Sequence, residues 1–365
     1  MSTPDQQIDF SDFTAEVADR TGSTPEQLTD RSDGTVSRDS DLLARARAER
    51  APDGSSEIIA EVLWQYDTER KRVLGWVGSS PDMDSETYEL IYGGERLAPM
   101  PTFEQIHDAL HANPEVYARK IEQGFTKLLI VPFGARITTL LDAYQQDVTI
   151  ASEGGALLDS DGTPIDEEAM PAVTEDPALY VNADTHKRVC YSPEGIPNRA
   201  RTKEEEIVNQ AVSGWQVLLV EDVSAPGLEN ADIRNKVAFF EDGFGPLVMM
   251  QARDGVSDAA LGRGDLEHEV GLTLESYLAL AHQYLCEERK LLDLRSTTLL
   301  LGMYEKAEKM IPIVSRDSAS RVLQIDELST VVSATGAATT YEGVRTAVLV
   351  DMLPEHGDEP GGSDG

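Results

Sequence analysis

The sequence contains few cysteines, few lysines, few aromatic residues and no long apolar segment. It has 365 residues, of which 2 are Cys, 9 are Lys and 6% are aromatic. Two cysteines, Cys190 and Cys286, provide neither a disulfide framework nor a metal-binding spacing, and this fits a reducing compartment. No apolar run approaches the ~20 residues that span a bilayer, and no secretory signal is visible. These absences predict a cytoplasmic protein without membrane insertion, or one carried on a virus particle.

The charge is strongly unbalanced towards acid. The chain has 66 Asp and Glu against 31 Lys and Arg, which gives a net charge of −35. No basic stripe is available to neutralise phosphates, so the sequence argues against nucleic-acid binding. Acid excess with little lysine is typical of a disordered acidic chain, or of a folded protein kept soluble in molar salt. Apolar segments such as Leu128–Phe133 and Trp215–Val220 indicate a real core and favour the halophilic protein.

The pattern of apolar and polar segments predicts an α+β protein with four parts. Residues 1–55 are predicted to be a disordered acidic leader, and residues 353–365 a disordered tail. Residues 56–200 are predicted to form a smaller α/β region with a hairpin and helices. Residues 201–352 are predicted to form a C-terminal module that binds a ligand.

Several local signals predict individual elements. The segments around Glu57–Asp67 and Arg72–Gly78 are interpreted as a hairpin, although the first is equally compatible with a helix. Residues with N-cap chemistry precede two predicted helices, and near-continuous apolar runs predict two buried strands. The predicted helices are Phe103–Ala112 after Thr102, Glu115–Gln123, Ile137–Gln146, Lys203–Val212 after Thr202, and Thr273–Lys290; the predicted buried strands are Lys127–Phe133 and Trp215–Asp222.

Two short patterns resemble metal sites. His107 and His111 are four residues apart on a predicted helix, close to the HExxH zinc motif, which also needs a third ligand and a carboxylate base. The alternative is an amphipathic helix that shows both histidines to solvent. A calcium-loop pattern would place Asp159, Asp161 and Glu168 at ligand positions, but its first position is Leu157, which cannot ligate. Chance clusters are common in so acidic a chain.

No pattern predicts an enzyme or a cofactor. The sequence has no GxSxG nucleophile motif and no GxxxxGK or GxGxxG phosphate-binding loop. Cys190 follows His186 by four residues, but a partly buried strand cysteine explains it more simply. We therefore predict that the protein is not an enzyme, carries no cofactor and has no metal site, and we keep a metal-dependent hydrolase that uses His107 and His111 only as an alternative.

The stretch Thr297–Asp351 alternates short apolar runs with connections rich in Ser, Thr and Ala. Such a pattern is typical of small strands that carry loops. A core would not contain so many hydroxyls, because each buried hydroxyl needs a partner. We therefore interpret Ser315–Tyr341 as a surface held by flanking strands, where binding sites usually lie. The predicted strands are Leu299–Leu301, Ile311–Val314, Val322–Ile325 and Val344–Val350.

This C-terminal part resembles a known family of modules. The segments Thr298–Gly302 (TLLLG) and Gly343–Val348 (GVRTAV) are similar to the TWLLG-like and GxR-x-A-V segments of variable proteins of diversity-generating retroelements. Their modules have a C-type-lectin-like, formylglycine-generating-enzyme-like fold. With GFTKLLIVPFG, SGWQVLLVED and GLTLESYLALAHQYL, the resemblance extends over about Phe125–Asp351. It implies a C-type-lectin-like module whose exposed residues, about 315–341, are diversified to change the target.

This chain differs from the family in the residue types of the predicted surface. The variable surfaces of the family are usually rich in Tyr, Trp, Asn and Arg, whereas Ser, Thr and Ala predominate here. The implied partner is an unknown protein or carbohydrate ligand, and an oligomer is compatible with the sequence. A structural or receptor-binding protein of a haloarchaeal virus is the alternative.

Arg345 is predicted to be structural and to pair with a carboxylate inside the module. The predicted ligand-binding residues are Arg316, Asp317, Ser318, Ser320, Arg321, Gln324, Asp326, Glu327 and Tyr341.

Overall fold

The computed structural model describes thirteen segments of the chain. They are residues 55–155, 157–158, 162–165, 189–191, 201–224, 235–238, 248–251, 269–294, 297–300, 302–305, 310–316, 323–329 and 342–352. The predicted leader, apart from Ser55, and the predicted tail lie outside these segments. The chain is α+β, as predicted.

Seven helices are present in the described segments. The α-helices are α1 (Ser55–Leu63), α2 (Tyr66–Val77), α3 (Phe103–Ala112), α4 (Pro114–Glu122), α5 (Ile137–Glu153), α6 (Lys203–Asn209) and α7 (Leu274–Glu288). Three of them begin with a capping box, in which a threonine hydroxyl accepts from the third helical N–H and that residue bonds back to the threonine. Two of these caps, Thr102 and Thr202, were predicted from the sequence, and both predictions are confirmed.

Fifteen strands form four sheets in the described segments. The strands are β1 (Met83–Asp84), β2 (Glu89–Tyr92), β3 (Glu95–Pro99), β4 (Lys127–Val131), β5 (Val189–Tyr191), β6 (Gln216–Val220), β7 (Asn235–Ala238), β8 (Val248–Gln251), β9 (Glu269–Gly271), β10 (Thr297–Leu299), β11 (Met303–Glu305), β12 (Met310–Arg316), β13 (Leu323–Ser329), β14 (Glu342–Val344) and β15 (Thr346–Leu349). The larger sheets have the orders β4-β6-β15-β9 and β14-β10-β12-β11-β5, with β13 paired to β12 in the second.

The antiparallel four-stranded sheet lies at the centre of the core. All five residues of β6 are buried, as are Leu128–Val131 of β4, so the prediction that these apolar strands are covered on both faces is confirmed. Helices α2 and α7 pack against β4, and α5 packs against both helices. Strand β4 lies before residue 200 and its partner β6 lies after it, so the hydrogen-bonded sheet crosses the predicted domain boundary.

The predicted N-terminal hairpin is wrong, because its two segments form the helices α1 and α2. Their buried side chains recur at intervals of three and four residues, which is the spacing of a helical face. These buried residues are Ile59, Val62, Leu63, Tyr66, Val73, Trp76 and Val77. A three-stranded antiparallel sheet, β1-β2-β3, follows them, and its last strand lies in a segment that we expected to be a short link.

Helix α7 is the most buried of the helices in the described segments. Every residue from Leu274 to Leu285 is buried, including Glu275, His282 and Gln283. From their polarity we expected Glu275 and Gln283 to face solvent, and this expectation is wrong, because both are buried. The Glu275 carboxylate accepts from Tyr191 Oη at 2.8 Å and from Lys203 Nζ at 2.9 Å. Helix α7 is therefore buried in the core, and its polar side chains are stabilised there by hydrogen bonds.

Candidate functional site

The two segments that carry the family resemblance lie side by side. Strand β10 pairs in parallel with β14, which places Thr298 opposite Gly343 and Leu299 opposite Val344. On its other edge β10 pairs antiparallel with β12. The order β14-β10-β12 therefore connects both segments to the strand that enters the predicted binding surface.

Arg345 joins the two large sheets. We predicted one continuous strand from Val344 to Val350, and this is wrong, because β14 ends at Val344 in one sheet and β15 begins at Thr346 in the other. The Arg345 side chain is buried between them and donates to Asp293 through Nη2 at 2.6 Å and Nε at 3.3 Å. The predicted structural role of Arg345, pairing with a carboxylate inside the module, is confirmed.

The Asp293 carboxylate is the centre of this buried cluster, which we call the Arg345 cluster (Arg345, Asp293 and Thr298). Thr298 Oγ1 donates to Asp293 Oδ2 at 2.6 Å, and the Asp293 side chain is fully buried. Burial lowers the pKa of Arg345, but the charge of and hydrogen bonds to Asp293, with smaller contributions from Tyr277 and Glu221, together raise it, so its pKa lies above the ordinary value. The guanidinium therefore stays ionised and fixes β10, through Thr298, to the point where the chain changes sheet.

Gly302 closes the TLLLG segment where two backbones meet. Its N–H donates to Leu272 O at 2.9 Å. A Cβ on Gly302 would collide with the backbone oxygen of Gly271 and with Leu272. Only glycine permits this approach, so Gly302 holds the end of the segment against β9 and the start of α7.

The hairpin of β12 and β13 is the part of the predicted surface that the structure describes. Seven residue pairs connect the strands without a register shift, from Met310 with Ser329 to Arg316 with Leu323. Along β12, Pro312 and Val314 are buried, whereas Ile313 and Ser315 are partly exposed. The alternation shows one face of the hairpin on the core and one face with access to solvent.

The predicted ligand-binding residues fall into three groups. Gln324 is partly exposed and is the register partner of Ser315, on the face with access to solvent. Arg316, Asp326 and Glu327 lie in β12 and β13, where the structure describes their backbone only. The remaining predicted residues, Asp317, Ser318, Ser320, Arg321 and Tyr341, lie outside the described residues.

The two residues that complete the Arg345 cluster were not predicted. Asp293 and Arg345 are 52 positions apart, and Thr298 is one of several threonines in its segment. A lone buried arginine requires a carboxylate, but the sequence contains 66 acidic residues that are formal candidates. No local signal singles out Asp293.

The histidine pair of α3 has structural partners. His111 Nδ1 bonds His107 O at 2.9 Å, His107 Nδ1 bonds Asp108 Oδ1 at 3.1 Å, and the two rings stack with centroids 4.1 Å apart. In the described part of the chain, no three His, Cys, Asp or Glu side chains are grouped to hold a metal ion. Phe103, Ile106 and Leu110 of this helix are buried, whereas His107 and His111 are partly exposed, so the helix is amphipathic.

The calcium-loop pattern begins in the core. Leu157 and Ile165 are buried, and Ile165 N donates to Leu157 O at 2.9 Å. Asp159, Asp161 and Glu168, the expected ligands, lie outside the described residues.

A groove lies beside α6 and the C-terminal end of β15. It has a volume of about 240 Å³, and Arg201, Glu206, Gln210 and Asp351 line its polar part. Arg201 Nη1 donates to Glu206 Oε2 at 3.2 Å, so the cation already has a carboxylate partner. The groove gives no indication of a ligand class.

Comparisons with known proteins add no identification. Protein-family models, curated proteins and solved structures gave no match. No helix in the described segments has the length and apolar character needed to cross a membrane. The arguments for function therefore depend on the geometry above and on the resemblance of the two segments.

Tyr117 ties the end of the C-terminal strand to α4, and this contact predicts a loss of stability at alkaline pH. Asp351 N donates to Tyr117 Oη at 2.9 Å, and burial raises the pKa of Tyr117 to about 12. The folded state therefore keeps the proton more tightly than the unfolded state, whose tyrosine pKa is ~10. This contribution is complete below about pH 10 and is lost as the pH rises towards 12.

The measurement is urea unfolding at pH 9 and pH 11 for the wild type and Tyr117→Phe. The wild type should lose about 1.4 kcal/mol more than the variant between these pH values, because the phenol of the folded state stays neutral over one pH unit in which the unfolded tyrosine ionises. The other tyrosines are identical in both proteins. Equal losses would show that Tyr117 is not held protonated by the fold.

Proposed function

We propose that this protein is a ligand-binding or display protein whose C-terminal surface, about residues 315–341, contacts the target. In this proposal the C-terminal part is a C-type-lectin-like module, and a retroelement diversifies the surface to change the target. The target is a protein or a carbohydrate. No catalytic step is involved, and binding alone is the activity.

The observation that carries the proposal is the contact between the two segments of the resemblance, in the same sheet as the hairpin and beside it. β10 lies between β14 and β12, and the Arg345 cluster holds this base from inside. Loops whose sequence varies need a scaffold whose structure stays the same when the loop residues are exchanged. The pairing of β10 with both neighbours supports such a base next to the strand that leads into the proposed surface.

A fixed base also favours binding energetically. Ordering a loop or a long side chain on association costs ~0.5–1.5 kcal/mol for each side chain that is immobilised. The uninterrupted register of β12 with β13 fixes the backbone on both sides of the connection 317–322 before a target arrives. The two residues that flank that connection, Arg316 and Leu323, are therefore held opposite each other by their pairing.

The residue types of the proposed surface divide into anchors and polar contacts. Arg316, Arg321 and Tyr341 are the proposed anchors, since Arg and Tyr combine contact area with directed hydrogen-bond donors. Gln324, Asp326 and Glu327 are proposed to recognise polar groups of the target, together with Asp317. The abundance of Ser around them suits a surface on which larger residues are exchanged without disturbing the base.

Two display libraries of the full chain test the proposal. The first randomises Ser315, Gln324 and the connections 317–322 and 330–341. The second randomises the same number of exposed or partly exposed positions on α1–α4, such as Glu61, Thr68 and Lys71. Both are displayed in molar KCl and selected against one panel of purified proteins and glycans.

We expect folded, target-specific binders from the first library and at most rare ones from the second. Each binder should lose its target when the Ser315–Tyr341 sequence is returned to that of the wild type. If the first library does not display folded protein, or if both libraries give binders equally often, the C-terminal surface has no special role and the proposal fails.

A further inference from the structure

Strand β4 is an edge of the four-stranded sheet, and a side chain rather than a fifth strand bonds part of its outer backbone. Gln65, directly before α2, donates through Nε2 to Thr126 O at 2.8 Å. Its Oε1 accepts from Leu128 N at 3.0 Å. One glutamine side chain therefore supplies a donor and an acceptor in the way a neighbouring peptide unit does in a sheet.

Two more side chains continue this pattern along β4. Glu69 Oε1 accepts from Ile130 N at 2.8 Å, and Gln283 Nε2 of α7 donates to Leu128 O at 2.9 Å. Gln65 and Glu69 are four residues apart on the helix axis, which is ~6 Å, and Leu128 and Ile130 are ~6.8 Å apart in a strand. The spacing of α2 thus matches the spacing of the outward N–H groups of β4.

A chain of side chains holds Glu69 in this position. Arg72 donates to the Glu69 carboxylate at 2.6 Å and 2.7 Å, and its Nη1 donates to His282 Nδ1 at 2.7 Å. Because arginine only donates, Nδ1 accepts and the ring proton is on Nε2. His282 Nε2 then donates to Asp147 Oδ2 at 2.8 Å. The side chain of Asp147 is partly exposed on α5, whereas that of His282 is buried.

We propose that Gln65, Glu69 and Gln283 take the place of a fifth strand and close the β4 edge to strand addition. Arg72, His282 and Asp147 are positioning residues that keep the Glu69 carboxylate on Ile130. We call these six residues the edge cluster. An uncovered edge presents unpaired N–H and C=O groups to other chains, so the edge cluster is a device that keeps this sheet at four strands.

Native-state amide hydrogen exchange in molar KCl tests the replacement of a strand. The amide of Leu128 bonds Gln65, whereas the backbone of Leu129 points to β6 and reports on the sheet itself. In Gln65→Leu, exchange at Leu128 should accelerate at least about tenfold relative to Leu129, because its partner is lost. Gln65→Glu keeps an acceptor oxygen and should restore most of the protection.

Thr68→Leu, an exposed position on the same helix, is the matched control and should leave both amides unchanged. If Gln65→Leu leaves the ratio of the Leu128 and Leu129 rates at the wild-type value, whether both rates stay constant or both rise, the side chains do not replace a strand and the proposal is overturned.

Asp147 tests the positioning chain from its exposed end. Asp147→Ala should accelerate exchange at Ile130 about threefold relative to Leu129, since His282 loses the acceptor that fixes its tautomer against Arg72. Asp147→Asn keeps an acceptor oxygen and should behave as the wild type. Asp142→Ala, exposed on the same helix, is the control. If Asp147→Ala does not change the Ile130 to Leu129 ratio, Asp147 does not act through His282 and Arg72.

Discussion

Arg345→Met is expected to destabilise the protein by about 3–5 kcal/mol. The substitution preserves much of the side-chain volume but removes the bidentate partner of Asp293, whose carboxylate is fully buried. Breaking a buried ion pair from one side costs this much because the other charge stays in a medium that does not solvate it. Domains are typically stable by only ~5–15 kcal/mol, so the loss is a large part of the total.

Urea unfolding in molar KCl measures this effect, since urea does not change the ionic strength. Arg96→Met is the matched control, because the Arg96 side chain is 61% exposed and its ion pairs with Asp84 and Glu89 lie at the surface. We expect a loss below ~1 kcal/mol for the control. The pair Arg345→Met with Asp293→Leu should recover part of the stability that Arg345→Met alone loses.

If Arg345→Met and Arg96→Met cost the same, the Arg345 cluster does not hold the base of the hairpin. The same result would weaken the proposed function, since the proposed surface would then lack a fixed support. If the double variant Arg345→Met, Asp293→Leu is no more stable than Arg345→Met alone, the stabilising contacts of Arg345 are not those with Asp293.

Stability is expected to rise steeply with salt. The net charge is −35, and at low ionic strength the surface carboxylates repel one another over a Debye length of ~30 Å at 0.01 M, which falls to ~3 Å at 1 M. The buried pairs Lys120–Glu269, Lys203–Glu275 and Arg345–Asp293 are screened much less. Salt therefore acts mainly on the surface repulsion, which destabilises the compact state.

Circular dichroism and the midpoint of thermal unfolding from millimolar to molar KCl measure this dependence. Sucrose at matched water activity is the control, because it strengthens burial without screening charge. KCl should stabilise the fold well beyond sucrose. If the spectrum and the midpoint were unchanged between millimolar and molar KCl, the interpretation as a halophilic protein would be wrong.

Local signals predicted those parts of the fold that neighbouring residues determine. Thr102 and Thr202 were recognised as caps because the hydroxyl and its N–H partner are three residues apart. Continuous apolar residues predicted the burial of β4 and β6. For Arg345 the type of partner was predictable, because a buried guanidinium needs a carboxylate, but the identity of that carboxylate was not.

Contacts between distant residues were not predictable in the same way. Gln283 and Glu275 of α7 read as solvent-facing from their polarity, but their partners Leu128 and Lys203 lie 155 and 72 positions away. The buried His282 of α7 bonds Arg72 of α2 and Asp147 of α5. On each helix alone these polar residues resemble a solvent-exposed face, and only the packing of the three helices brings them together. In α1 and α2 a helical period was present, so the helix that the first segment also allowed is confirmed and the hairpin is wrong.

The most direct measurement of the central claim is the sequence of this gene in many copies from one population. The account predicts that amino-acid differences concentrate at positions 315–341, while Asp293, Thr298, Gly302 and Arg345 stay constant, because the surface changes and its base does not. Differences spread evenly over the chain, or a surface identical in every copy, would contradict a diversified binding surface.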